Sequence, residues 1–409
     1  MKKEAVPSLL LNDDSCEGCA VCDECSSKGT DIADECLSSN DVEVSAVENN
    51  IDGDNIENNI DSEYNDLEIL KDLANQIGDE TVQTVVQHVC DNKSIQTDDY
   101  PMNCKCKEKK CKNLMDLLQK DSDLSAFTEI SFDILKGLSK CIKLLLNKKG
   151  HIIERSLCTL EEKIVLTLCK LKLCLSYECL GILFGVSKST AFNYFIETLP
   201  LLAAVLEEAV FIPDKEEILL NTPECFKLYK DVLLVLDCTE IPVDAPHCLQ
   251  CRIRLWSHYK GKLTLKFLIG TAPSGMICYC SKAYGGKASD KAIFLQSNIL
   301  DQVQSGQDAL MVDRGFLIED ECAKKNIKLY RPPFAESLGQ MSIENCTRPR
   351  NIASARVHVE RVMERLKNFK ILKLNFNWEM TRYVDMIMVV ICGLVNLGPP
   401  ILSKIKYIH

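Results

Sequence analysis

From about residue 113 onward, apolar residues recur at steps of three and four. LMDLLQ and FDILKGLSKCIKLLL each gather them on one helical face. The stretch TLEEKIVLTLCKLKLCLSYECLGILFGVSKSTAFNYFIETLP, residues 159–200, keeps that period and predicts three helices. Thr159, followed by Glu161 and Glu162, has the chemistry of a helix start. Ile164, Leu168, Leu171 and Leu175 form the apolar stripe of the first helix. SYECLGILF predicts a second, short helix; Gly185 permits a tight turn, and Ser187 can cap the third. On the third helix, Phe192, Phe195, Ile196 and Leu199 are expected to face the core. Thr190, Asn193, Tyr194 and Glu197 are expected to point outward. From about 230 the pattern changes to short apolar runs separated by Gly, Pro and Ser. VLLVLD, LTLKFLIGT, MICYCSKAY and DALMVD predict strands, with a helix over KAIFLQSNIL. Helical periodicity returns near 353 and at 382–396. The order is therefore a helical module over 113–212, then an α/β domain over 213–409.

The residues before 113 follow neither period. They are rich in Asp, Glu, Asn and Ser and hold two aromatics, Tyr64 and Tyr100. Such a composition buries too little surface to offset chain entropy, so 1–112 is expected to be a disordered acidic leader with short transient helices over 66–78 and 80–90. Charge separates the same two parts. The chain's net charge of −11 averages a leader with 25 Asp and Glu against 5 Lys in residues 1–100, and a remainder with 34 against 43. The body is mildly basic, which is compatible with a nucleic-acid partner. CKCKEKKCK, residues 104–112, reads as a solvated charge run or as a localisation signal. The 409 residues suffice for two or three domains. No unbroken apolar run reaches the roughly 18 residues of a membrane span, so no membrane partner is expected. The 23 cysteines are odd in number, and many lie in apolar runs, as small buried hydrophobes do in a reducing compartment.

A short helix, an FGVS turn and a helix opening on KST have the layout of a helix-turn-helix. In that reading Lys188, Ser189, Thr190 and Asn193 approach DNA through the helix start. A helical bundle that binds no DNA fits the same pattern. Lys188 is the lone basic residue of this helix segment, so binding here alone is expected to be weak.

Three acids stand out in the α/β half. Asp237 ends the apolar run VLLVLD, Asp313 ends ALMVD, and Glu360 lies in the helix-like ARVHVERVMERLKNF. A carboxylate at the end of a buried strand is costly unless paired or bound to a cation. At 100° per residue, Val359, Val362, Met363, Leu366 and Phe369 form the buried stripe of the Glu360 helix. Arg356, Glu360 and Lys367 fall within about 40° of one another along its border. There the two cations can steer phosphates, or Arg356 and Glu360 form an ordinary surface pair. Hard carboxylate oxygens suit magnesium, and a carboxylate set can hold cations for in-line phosphoryl displacement.

LDCTEIPVDAP, SHYKGKLTLKFLIGTAPSGMICYCSKAYGGKASDK, DALMVDRGFLIEDE and IASARVHVERVMERLKNFKIL, in that order, resemble the Harbinger/PIF-like DDE transposase superfamily. The resemblance covers about residues 123–405, and the helical module resembles the helix-turn-helix that precedes that domain. It implies an RNase H-like core with a catalytic and metal-binding triad at Asp237, Asp313 and Glu360. It also implies Mg2+ or Mn2+ as cofactor, DNA as partner, and a nuclear location. The 46 residues between Asp313 and Glu360 suit the family spacing. Asp290, in GGKASDK, matches a recurrent family position and also reads as the N-cap of KAIFLQSNIL. Asn193 stands where the family often has Arg. Such chains often carry a zinc-binding module ahead of the core; none is found here. A separate DNA-binding partner protein and oligomerisation both stay open, as does a domesticated, non-catalytic binding factor derived from a transposase. Two cysteine groups are further metal candidates: Cys16, Cys19, Cys22 and Cys25 in the leader, and His247, Cys248 and Cys251, whose thiols are otherwise expected in a surface loop.

Overall fold

The computed structural model describes residues 113–148, 156–332 and 359–399. The acidic leader with its expected helices and cysteine cluster, and Arg356, lie outside the described residues.

The helical half runs α1 (Leu114–Leu117), α2 (Asp121–Thr128), α3 (Phe132–Lys148), α4 (Leu160–Leu173), α5 (Tyr177–Phe184) and α6 (Lys188–Leu206). Local chemistry sets the boundaries. Thr159 accepts from the Glu162 backbone N–H while the Glu162 side chain accepts from Thr159 N–H, a reciprocal cap that starts α4. Ser176 caps α5, Gly185 ends it at φ +66°, and Ser187 caps α6. A Cβ on Gly181 would lie 2.6 Å from the Val186 carbonyl, so the turn closes tightly only over glycine. The expected stripe Ile164, Leu168, Leu171 and Leu175 is fully buried.

On α6 two expectations are corrected. The buried row is Ala191, Tyr194, Phe195, Thr198, Leu199 and Leu202, a three–four repeat that takes in Tyr194 and leaves Phe192 outside. Tyr194 is 7% exposed and Phe192 38%. The Tyr194 ring lies under Lys163 Nζ, 4.2 Å from its centroid, and its hydroxyl accepts from Ser156 at 2.9 Å, so burial leaves its polar end partnered. Phe192 instead sets its ring edge-on to Tyr177.

After α7 (Lys215–Leu220) the chain enters β1 (Val232–Pro242). Then follow α8 (Leu249–Leu255), β2 (Trp256–Ser257), β3 (Lys262–Thr271), β4 (Ile277–Cys280), β5 (Tyr284–Gly285), α9 (Asp290–Gln296), β6 (Ala309–Val312), α10 (Glu319–Lys324) and β7 (Lys328–Tyr330). Residues 359–367 are helical (α11), followed by α12 (Lys370–Lys373) and α13 (Val384–Leu397). β1 lies between antiparallel β3 and parallel β6, and β7 adds in parallel beyond β6. Along the outer edge of β3, β2, β5 and β4 pair in turn.

The sheet is covered on both faces. Leu234, Leu236, Leu310 and Val312 share one core with Ile293 and Phe294 of α9 and Cys322 of α10. Val235, Met311, Phe267 and Ile269 share the other with α11, α12, α13 and the helical module. That second core is continuous across residue 212. A Cβ on Gly393 would meet the Leu206 carbonyl at 2.7 Å, so α13 crosses α6 backbone to backbone. Asn396 then donates to the carbonyls of Ala209 and Ile277, both at 2.8 Å, and accepts from Ile277 N–H. By length and composition Lys188–Ala209 and Trp378–Leu397 are apolar enough to cross a membrane, yet here they pack on each other as core helices.

Candidate active site

Asp237 sits within β1, not at its end, because the strand continues to Pro242. It does mark the end of one ladder. The parallel pairing with β6 closes at Leu236↔Val312, while the antiparallel pairing with β3 continues from Asp237↔Ile269 to Pro242↔Thr264. Asp313 follows Val312 directly. The two aspartates are therefore the first residues past the last paired position of two adjacent parallel strands, which lie about 4.8 Å apart. Both are half-buried. This is the carboxyl edge of the sheet where the strand order reverses around β1, the place open α/β sheets use for ligands.

Each carboxylate is oriented by its own backbone. Asp237 Oδ1 accepts from Cys238 N–H at 2.9 Å, and Asp313 Oδ1 from Arg314 N–H at 2.6 Å. The loop after Asp313 is anchored rather than loose. Phe316 N–H donates to the Asp313 carbonyl, and Phe316 and Ile318 are buried in the core beneath. Just past β7, Arg331 donates to the Arg314 carbonyl at 2.9 Å and pairs with Glu319.

Pleat alternation carries Asp237 to the face of Val235. α11 packs on that side, with Val359, Val362, Met363 and Leu366 in the same core. Glu360 and Lys367 are exposed on this helix. Glu360 does not close onto the two aspartates: among the described residues no three His, Cys, Asp or Glu side chains come within reach of one metal ion. Residues 333–358, which deliver Glu360, lie outside the described residues.

Residues 236–396 match the family model of the DDE superfamily endonuclease, and residues 155–208 match the model described as the helix-turn-helix of DDE superfamily endonuclease. The chain belongs to the DDE superfamily endonucleases. The first match opens one residue before Asp237 and takes in Asp313 and Glu360. No curated protein and no solved structure matches the chain.

Within this DDE endonuclease domain Asp290 has a different setting from the aspartate pair. It is the first residue of α9, and Ser289 is the N-cap, accepting from Ala292 N–H. α9 packs on the face opposite α11. There Lys266 Nζ lies 2.8 Å from Asp290 and 3.7 Å from Glu240, its partner in the β1–β3 register. Lys266 also donates to the Ala288 carbonyl, and Glu240 accepts from Thr264 at 2.8 Å. Burial pushes Lys266 toward neutrality, but the hydrogen bond and charge of Asp290, with the Glu240 charge, outweigh it and hold its pKa above the ordinary lysine value. Burial, then the Asp290 charge, push the Cys238 thiol well above its usual range, so it stays protonated beside Asp237. The sequence carried a signal for this brace: a lone lysine inside the apolar strand LTLKFLIGT requires a buried partner.

The helix-turn-helix residues sit where the sequence placed them, at the exposed start of α6. Lys188, Ser189 and Asn193 are exposed and Thr190 half-buried. Two are already engaged. Lys188 Nζ pairs with Glu178 of α5 at 2.6 Å, and the Thr190 and Ser187 hydroxyls lie 2.8 Å apart. The His247, Cys248, Cys251 group is not a surface thiol loop. Cys251 is buried within α8, Cys248 precedes that helix half-buried, and His247 is exposed.

Proposed function

We propose that the chain is a divalent-metal-dependent DNA endonuclease of the transposase type, acting in the nucleus, with Asp237 and Asp313 as its paired metal ligands. The observation that carries this is the Leu236↔Val312 register, which sets both acids side by side at the carboxyl edge of β1 and β6. The order β4–β3–β1–β6–β7, antiparallel then parallel, supports an RNase H-like core. The donor set fits the group: two hard carboxylates with backbone-fixed orientation, beside a thiol that burial keeps protonated. Mg2+ or Mn2+ bound there would supply a Lewis acid for the phosphate and a water activated for attack on phosphorus. On this reading Glu360 would be drawn in from α11 to complete the ligand set, and Lys367 on the same helix would steer the phosphate backbone. Asp290, held by Lys266, supports the sheet behind the site. Strand transfer by the freed 3′ hydroxyl extends the same chemistry to a second DNA.

One observation favours a second reading. Asp237, Asp313 and Glu360 do not form a three-ligand group, as expected of a domesticated binding factor that kept the fold without the reaction. Supercoiled plasmid separates the two. The endonuclease reading expects Mn2+- or Mg2+-dependent nicking by the full chain, abolished in Asp237→Asn and in Glu360→Gln. DNA binding with no nicking in either metal supports the second reading.

A further inference from the structure

Residues 245–289 contain no Asp or Glu and seven Lys or Arg. The nearest acids in sequence are Asp244 and Asp290. Lys282 and Lys287 are exposed elsewhere, but most of its exposed cations lie on α8 and the β2–β3 hairpin. Arg252, Arg254, Trp256, Tyr259, Lys260 and Lys262 are all exposed there. Tyr259, 84% exposed, is the most solvent-facing large hydrophobic side chain of the described residues. Lys260 Nζ lies 4.6 Å from its ring centroid, which holds the aromatic plane and the cation together at the tip.

The scaffold under these side chains is tied down by strand pairing and backbone hydrogen bonds. Trp256 pairs with Leu263 and Ser257 with Lys262. Gly261, at φ +63°, closes the turn by donating its N–H to the Ser257 carbonyl. A Cβ on Gly285 would lie 2.3 Å from the Arg254 carbonyl, and one on Gly286 2.7 Å from the Leu255 carbonyl. The glycine pair thus lets β5 press against the end of α8. Lys287 N–H donates to the Arg254 carbonyl, and Arg252 Nε to that of Pro246 at 2.6 Å.

The hairpin also lies at the correct end of the sheet. β1 runs from Asp237 past the last β6 pairing to Pro242, opposite Thr264, and the hairpin turn lies beyond. Five strand residues span about 17 Å at about 3.3 Å each. That is about five base-pair steps of duplex DNA, which carries one negative charge per about 1.7 Å of axis. The helix-turn-helix offers the opposite balance, since Lys188 is paired with Glu178 and Lys163 with Glu197.

We infer that the α8–hairpin surface of residues 249–262 is the main duplex-DNA interface of this chain, gripping the phosphate backbone beside the cut site while Tyr259 and Trp256 pack on the sugar and base edges. The inference rests on the endonuclease reading for the position of the cut, and its test does not depend on cutting. Binding of a fluorescein-labelled duplex of arbitrary sequence to the full chain is followed by anisotropy in EDTA over a salt series. Lys260→Glu with Lys262→Glu is expected to weaken binding at least ~10-fold and to flatten the log–log salt slope by about 2, near 0.9 per lost phosphate contact. Lys188→Glu is expected to change binding less than about twofold, because its charge is already matched. Tyr259→Ala, at the exposed tip, gives a second reading with no charge change and is expected to weaken binding with the slope retained. Circular dichroism checks that each variant is folded. Parent-like affinity and slope in the hairpin variants overturn the inference. So does loss of binding in Lys188→Glu alone, or a hairpin that retains acidic protein but not duplex DNA. A chain that binds through the hairpin and never nicks upholds this interface and removes the endonuclease reading.

Discussion

Two groups of acids flank the same strand and are used in opposite ways. On one face of β1, Glu240 and Asp290 close around Lys266, with side chains 7%, 28% and 12% exposed. On the other, Asp237 and Asp313 share the sheet's carboxyl edge, each turned by the next residue's N–H. Glu240 and Asp237 are three residues apart on one strand, and pleat alternation sends them to opposite faces. The first group is a brace: a buried cation holding two acids fixes α9 against β1 and β3. The second keeps its oxygens at an edge where a ligand can enter. Adjacent acids in a sequence thus differ in role through parity and position, not through residue type.

The comparison breaks most visibly at the brace. Lys266→Met leaves Glu240 and Asp290 facing each other without their cation, and removing one partner of a buried pair costs about 3–5 kcal/mol. Urea unfolding is expected to show that loss, and Glu240→Gln with Asp290→Asn added to Lys266→Met is expected to recover part of it. An unchanged midpoint in Lys266→Met contradicts the brace. The edge should respond in the other currency. Asp237→Asn is expected to cut nicking by more than ~100-fold, beyond the loss typical of groups that only orient a ligand, with stability nearly unchanged. If Asp237→Asn unfolds the chain as Lys266→Met does, the two groups are not distinct.

Smaller effects sharpen the picture. Thr159→Ala removes the reciprocal cap of α4 and is expected to cost about 1 kcal/mol in thermal unfolding. A further acid, Asp231, sits just before β1, at the end away from Asp237. It accepts from Lys328 at 2.8 Å and from the Tyr330 hydroxyl at 2.9 Å. Burial pushes its pKa up, but these two donors outweigh that and hold it below the ordinary 3.8. A depressed folded pKa means the contribution is present above 3.8 and is lost as pH falls through the lower folded value. Asp231→Asn should therefore lower stability at neutral pH and flatten the fall below pH ~4, measured by unfolding across an acid series. Equal acid limbs in both proteins contradict it. Smallest of all, Lys188→Ala removes an exposed pair with Glu178 and is expected to shift stability by less than about 0.5 kcal/mol.

Much of this was legible in the sequence where local chemistry decides. Thr159, Ser187 and Gly185 mark their helix boundaries because caps and positive φ depend on one residue and its neighbours. The longer strands β1, β3, β4 and β6 were visible as apolar runs, while the short β2 and β7 were not, and Asp237 and Asp313 were visible as acids ending two of those runs. What the period could not give was which side of a run wins when both are mixed. Tyr194 and Phe192 exchange places on α6 because Lys163 and Ser156 supply Tyr194 with polar partners from another part of the chain. The brace needed the β1–β3 register, which joins Glu240 to Lys266 across 26 positions. The basic hairpin was hidden because a missing residue type leaves no motif, only an acid-free stretch.

The proposed function makes the aspartate pair on β1 and β6 a metal-dependent cutting site. The most direct measurement is nicking of supercoiled plasmid by the full chain, titrated with Mn2+, beside Asp313→Ala in the same titration. Nicking is expected to rise with Mn2+, to vanish in EDTA, and to be lost in Asp313→Ala while duplex binding in EDTA stays at the parent level. Nicking that persists in Asp313→Ala, or that needs no divalent cation, would contradict the proposed function.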